Sequence, residues 1–242
     1  MRPETAAIVL LYAVTIFLSA FLLFALQPII AKVILPWFGG TAAVWTTCLL
    51  FFQAVLLGGY LYSHLTTRYL APRTQAVLHV VLLVLSLASL PILPSAGWKP
   101  APDADPLGRI LLLLAVSVGP CYAMLSTTGP LLQAWFSREQ PGAVPYRLFA
   151  LSNFGSFLAL LGYPFLFEPL LAVLTQSLAF SVGYVAFAIA CSAIALRSFR
   201  RSAAPGVFSG SSWGEERPQP IRWTQALEWA PGPRWPARCC WP

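Results

Sequence analysis

Charge is what this chain lacks. Asp, Glu, Lys and Arg make up 10% of the 242 residues, while 58% are hydrophobic. A soluble domain carries about 25% charged residues. The deficit is also patterned: residues 5–31, 33–67, 74–98, 110–137, 148–167 and 169–196 contain no charged side chain. A helix needs about 20 apolar residues to cross the hydrocarbon core, and helices of soluble proteins seldom run that far without a charge. The runs are also too long for the alternating strands of about 9–11 residues found in outer-membrane barrels. Cysteine is sparse too. There is no Cys-x-x-Cys, and the two histidines, His64 and His79, lack metal-ligand spacing. The reading assigns no metal, no disulfide and no cofactor. Cys48, Cys121 and Cys191 fall inside spans as small packing residues.

What remains describes an all-α, polytopic membrane helix bundle with six transmembrane helices. They are expected at about 7–35, 42–65, 75–93, 108–134, 146–168 and 174–196. The lipid bilayer is the first partner. The net charge of +7 does not indicate nucleic acid, because the basic residues are spread between spans rather than gathered in a patch. With the N-terminus inside, Arg2, Arg68, Arg73, Arg138, Arg147, Arg197, Arg200 and Arg201 face the cytoplasm. Lys32, Lys99 and Arg109 face outward. This asymmetry places both termini in the cytoplasm, in an inner or plasma membrane. The first apolar run is too long for a secretory h-region and reads as a retained helix.

Proline punctuates the runs. Gln27-Pro28 lies in the first span, and Pro36–Thr41 with Gly39-Gly40 forms the first turn. The fourth span holds two Gly-Pro pairs, Gly119-Pro120 and Gly129-Pro130, so it should be kinked twice or broken. Residues 202–242 change character, with seven prolines and five tryptophans after residue 202 and no apolar period. That tail reads as disordered and cytoplasmic, and residues 1–201 as the membrane domain.

Few side chains carry chemistry. Gln27, Gln53, Asn153 and Ser156 are polar groups within spans. They could line a ligand cavity or simply bond across helices. Asn153, Ser156, Leu160 and Tyr163 are spaced to share one helix face, expected to point inward. Lys32 and Glu168 fall at similar depth at the outer ends of their helices. They form a candidate ion pair, either a gate or two residues snorkelling separately. No nucleophile–base pair or phosphate-binding loop is visible, so the reading is not an enzyme.

Several segments carry a family likeness. They are Phe17-Leu-Ser-Ala-Phe-Leu-Leu-Phe-Ala-Leu-Gln-Pro-Ile-Ile-Ala-Lys32, Leu35-Pro-Trp-Phe-Gly-Gly-Thr-Ala-Ala-Val-Trp45 and Phe51-Phe-Gln-Ala-Val-Leu-Leu-Gly-Gly-Tyr60. Further on come Ser126-Thr-Thr-Gly-Pro-Leu-Leu-Gln-Ala-Trp135, Pro145-Tyr-Arg-Leu-Phe-Ala-Leu-Ser-Asn-Phe-Gly-Ser156 and Gly162-Tyr-Pro-Phe-Leu-Phe-Glu-Pro169. In order and spacing these resemble the membrane portion of the fused major-facilitator/spermidine-synthase family, across about residues 10–200. The resemblance implies a transporter-like bundle similar to one half of a major-facilitator fold, binding or moving a small polar or cationic solute. Family members usually continue into further helices and a synthase-like domain, so the chain reads as truncated before that domain. No Gly-rich nucleotide turn follows residue 200, so aminopropyl transfer is not expected. The stretch Gly58–Arg68 lacks the acidic residue of the usual facilitator gating motif. The alternative is a membrane anchor or scaffold, the remnant of a fusion without its catalytic domain.

Overall fold

The computed structural model describes residues 3–99, 106–140 and 146–201. The expected tail at 202–242 lies outside the described residues. All regular structure described is helical: α1 (Pro3–Phe38), α2 (Ala42–Tyr69), α3 (Pro72–Ser86), α4 (Pro106–Ser117), α5 (Gly119–Glu139), α6 (Tyr146–Gly162), α7 (Glu168–Leu170) and α8 (Val173–Arg201). Five helical stretches are long and apolar enough to cross a membrane: Ala6–Phe38, Ala42–Tyr69, Pro72–Ser89, Arg147–Leu170 and Val173–Arg200. The bent pair α4–α5 supplies a sixth if taken as one span. The chain is thus a multi-pass helical membrane protein.

Local chemistry sets the boundaries. α1 runs through Pro28 and Pro36 and stops at Gly39, whose φ of 85° suits glycine. Thr41 then caps α2, its hydroxyl accepting from Val44 N. Helix three is shorter than the expected 75–93. It ends in a 3-10 turn at Leu87–Ser89, and an extended backbone at Leu90 precedes Pro91.

The stretch expected as the fourth crossing, 108–134, differs most from expectation. It breaks once, at Val118, with a 66° bend. Pro120 cannot donate to the turn before it, and the residues ahead of it are pushed off helical geometry. Gly129-Pro130 makes no such break, and α5 passes straight through Pro130. Here the hydroxyls of Ser126, Thr127 and Thr128 bond back to helix carbonyls, and Ser63 of α2 donates to Thr127 O at 2.9 Å. Pro130 leaves Ser126 O without its helical amide donor, and these bonds go to neighbouring carbonyls.

Neighbouring side chains give the helix directions. α1 and α6 run the same way, with Phe17 beside Phe154 and Phe21 beside Phe167. α2 and α5 also run together, Phe52 beside Tyr122 and Ser63 beside Thr127. α3 and α8 are antiparallel, pairing Arg73 with Phe199, His79 with Cys191 and Ser86 with Tyr184. α1 and α5 form an antiparallel centre, Tyr12 against Phe136 and Gln27 against Tyr122. These directions gather Arg68, Arg73, Arg138, Arg147, Arg197 and Arg200 at one end, and Lys32, Lys99 and Arg109 at the other.

The packing scheme is symmetric under exchange. α1 packs on α6 as α5 packs on α2, and α1 packs on α8 as α5 packs on α3. The pairs α1–α5 and α3–α8 map onto themselves. The set α1–α3 and the set α4–α8 are therefore arranged alike but run in opposite directions. Glycine permits the closest approaches: a Cβ on Gly155 would lie 2.9 Å from Phe17 O, and one on Gly59 would overlap the Ser126 side chain.

Candidate functional site

A small cavity of about 90 Å³ lies between α1, the end of α6 and the start of α8. Phe21 and Ala25 come from α1, Tyr163 and Phe167 from the π-helical segment Tyr163–Phe167, and Gln176 and Phe180 from α8. The π segment has a local cause. Pro164 lacks an amide proton, and the helix widens by one residue, so that Glu168 N bonds Tyr163 O. π turns of this kind recur at functional sites. Tyr163, one turn past the buried Ala159, donates its hydroxyl to Gln176 Oε1 at 3.2 Å. Gln176 Nε2 in turn donates to Phe167 O at 3.1 Å and Leu171 O at 2.8 Å. The glutamine thus holds the frayed end of α6 against α8 and presents its side-chain oxygen beside an aromatic wall.

Lys32 and Glu168 stand at the same end. Glu168 follows Phe167, and Lys32 lies about one turn beyond Ile29, which also lines the cavity. Lys32 Nζ is 3.5 Å from Glu168 Oε1 and also donates to Glu168 O at 3.5 Å. The side chains are 33% and 49% exposed, so water screens the pair, and exposed pairs are worth about 0–1 kcal/mol.

The other sequence candidates do not join them. Gln27 donates to the Tyr122 hydroxyl at 3.0 Å, an α1–α5 bond. Gln53 is exposed on the far side of α2, because Val44, Cys48, Phe52, Gly59 and Ser63 form the stripe turned to the bundle. The inward face expected of Asn153, Ser156, Leu160 and Tyr163 is rotated. Asn153 and Leu160 are exposed, and Ser156 bonds back to Ser152 O. The buried face is Leu148, Gly155 and Ala159, since small residues allow α6 to approach α1. Tyr163, four residues after Ala159, continues that buried face.

Sequence reading missed two buried glutamines, Gln176 and Gln75. Gln75 Nε2 donates to Thr66 O and Leu70 O, and its Oε1 accepts from Trp135 Nε1 at 3.0 Å and from Arg138 at 3.2 Å. A signal was present: Leu-Ala-x-x-Thr-Gln occurs at both 70–75 and 171–176. The bundle also buries His79, whose Nε2 lies 3.5 Å from Cys191 Sγ. Among the described residues no group of three or more His, Cys, Asp or Glu side chains could hold a metal ion. Comparison with protein-family models, with curated proteins and with solved structures finds no match to this chain.

Proposed function

We propose that the chain is a six-crossing, transporter-like membrane module of the fused major-facilitator/spermidine-synthase type. It binds a small polar or cationic solute in the aromatic cleft between α1, the π segment and α8. The observation that carries this reading is the exchange-symmetric packing of two oppositely directed triples, the arrangement of transporter folds built from inverted repeats. The cleft chemistry supports the solute class. Tyr163, Phe21, Phe167 and Phe180 line it with aromatic rings, whose faces attract cations, and Gln176 Oε1 offers an acceptor. The arginine-rich end is assigned to the cytoplasm, with both termini, from the basic asymmetry. No aminopropyl transfer is assigned.

A second reading, a membrane anchor or scaffold, draws on a different observation. Gln27, Gln53 and Asn153 do not converge on a cavity, and the interior is chiefly apolar. Thermal unfolding in detergent separates the two. Putrescine, spermidine and neutral polyols are added in turn to the wild type and to Tyr163→Phe and Glu168→Gln. A bound solute at 100 times its Kd stabilises by about 2.7 kcal/mol. Solute binding predicts a rise in Tm with the amines that both substitutions reduce. No shift with any of them would leave the anchor reading standing.

A further inference from the structure

The two glutamines belong to matching junctions at opposite ends of the bundle, and each position in the second set is the first plus 101. Leu70 N donates to Thr66 O at 3.1 Å, and Leu171 N to Phe167 O at 3.1 Å. Gln75 N bonds Ala71 O at 3.0 Å, and Gln176 N bonds Ala172 O at 3.0 Å. Gln75 Nε2 reaches Leu70 O and Thr66 O, as Gln176 Nε2 reaches Leu171 O and Phe167 O. Each glutamine thereby supplies a donor to the carbonyl just past the helix end, Leu70 O or Leu171 O, and a second donor to the carbonyl that already accepts the last backbone amide. Each junction is also gripped by a cation from the central helix of the other triple. Arg138 of α5 donates to Thr67 O at 3.3 Å, and Lys32 of α1 to Glu168 O at 3.5 Å. A cation at a helix C-terminus is favoured by the partial negative charge there.

The two grips differ in strength. At the Gln75 junction three hydrogen bonds cross between the triples: Arg138 to Thr67 O, Arg138 to Gln75 Oε1 and Trp135 to Gln75 Oε1. Trp135 and Gln75 are each 1% exposed, and Arg73 lies over the Phe199 ring at the same end. At the Gln176 junction the crossing polar contacts among the described residues are those of Lys32, both at 3.5 Å and partly exposed, beside an edge-on contact of the Phe21 and Phe167 rings. The remaining partner of Gln176 is Tyr163, which belongs to the same triple.

We infer that the two junctions are copies of one latch, and that the Lys32–Glu168 end is the one that opens, giving entry to the cleft beside it. The inference rests on the packing and stands whether or not a solute is transported. Amide exchange followed by mass spectrometry on the whole chain in detergent tests it. Amides of 163–176 should exchange about tenfold faster than those of 66–75. Lys32→Arg supplies a forked donor in place of a single ammonium and should slow 163–176 about threefold as a unit, leaving 66–75 unchanged. Trp135→Phe should speed 66–75 and leave 163–176 alone. Equal or faster exchange at 66–75 in the wild type would overturn the inference, as would Lys32→Arg without effect on 163–176.

Discussion

Two adjacent glycines on α2 should respond oppositely to the same methyl group. A Cβ on Gly58 meets nothing within 4 Å, whereas a Cβ on Gly59 would lie 2.8 Å from Ser126 Cβ and 3.2 Å from Ser126 C. Ordinary carbon contacts are about 3.6 Å, so α2 and α5 must part by about 0.8 Å to admit Gly59→Ala. The Ser63 hydroxyl, one turn along, donates to Thr127 O at 2.9 Å. The same separation carries that bond beyond hydrogen-bonding range. Overpacking costs about 1–3 kcal/mol, and a lost interhelical bond in a membrane about 0.6 kcal/mol. Replacing glycine with alanine in a helix returns about 1 kcal/mol. Gly59→Ala should therefore destabilise by about 1–2 kcal/mol. Gly58→Ala should be neutral or stabilise by up to about 1 kcal/mol. The two should differ in Tm by about 2–12 °C in detergent, at about 2–4 °C per kcal/mol. Removing the obstacle in Gly59→Ala/Ser126→Gly should recover much of the loss. Equal Tm values for the two single variants would refute the close crossing of α2 and α5.

Other substitutions probe the site and the topology. Pro164→Ala restores an amide donor and should let the π turn relax toward α-helix, loosening the Tyr163–Gln176 bond; unchanged cross-linking between cysteines placed at 163 and 176 would contradict this. A double-mutant cycle on Lys32→Ala and Glu168→Gln should give a coupling of no more than about 1 kcal/mol, since both groups are partly exposed. Ala101→Cys, in a background without native cysteines, should react with an impermeant thiol reagent in intact cells; reaction only after permeabilisation would reverse the proposed orientation. The purified chain should not convert putrescine and decarboxylated S-adenosylmethionine to spermidine, and steady turnover would demand a site not recognised above.

The crossings were legible because their cause is written locally. A charge-free run of twenty or more residues has few alternatives to a membrane helix. Gly119-Pro120 and Gly129-Pro130 look equivalent in sequence, yet only the first breaks the helix. The difference is one of position: Pro120 stands in the first turn of α5, where the missing amide costs no bond, and Pro130 lies in its interior. Asn153 misled for a related reason: helix facing was inferred from polarity, but α6 is oriented by the small side chains at 155 and 159. Tyr163 follows Ala159 by four residues on the buried stripe of α6, and its partner Gln176 comes from another helix, which the period of one helix does not reveal. The glutamine junctions were visible as a repeated six-residue pattern, although its meaning depends on the cations that arrive from α1 and α5.

The break at Val118 bears on how the chain is assembled. α4 has 12 residues, about 18 Å at 1.5 Å per residue, well short of a bilayer's hydrocarbon thickness of about 30 Å. It cannot leave the translocation machinery as an independent stop segment. α5 has 21 residues, but its proline-, serine- and threonine-rich half partitions weakly into lipid by itself. The fourth crossing therefore depends on earlier arrivals, and α2 is the one against which both pieces lie. A nascent chain arrested after residue 117 should remain extractable at this segment. One arrested well beyond residue 139 should be firmly held, so stable insertion of this crossing is a late, cooperative event in synthesis.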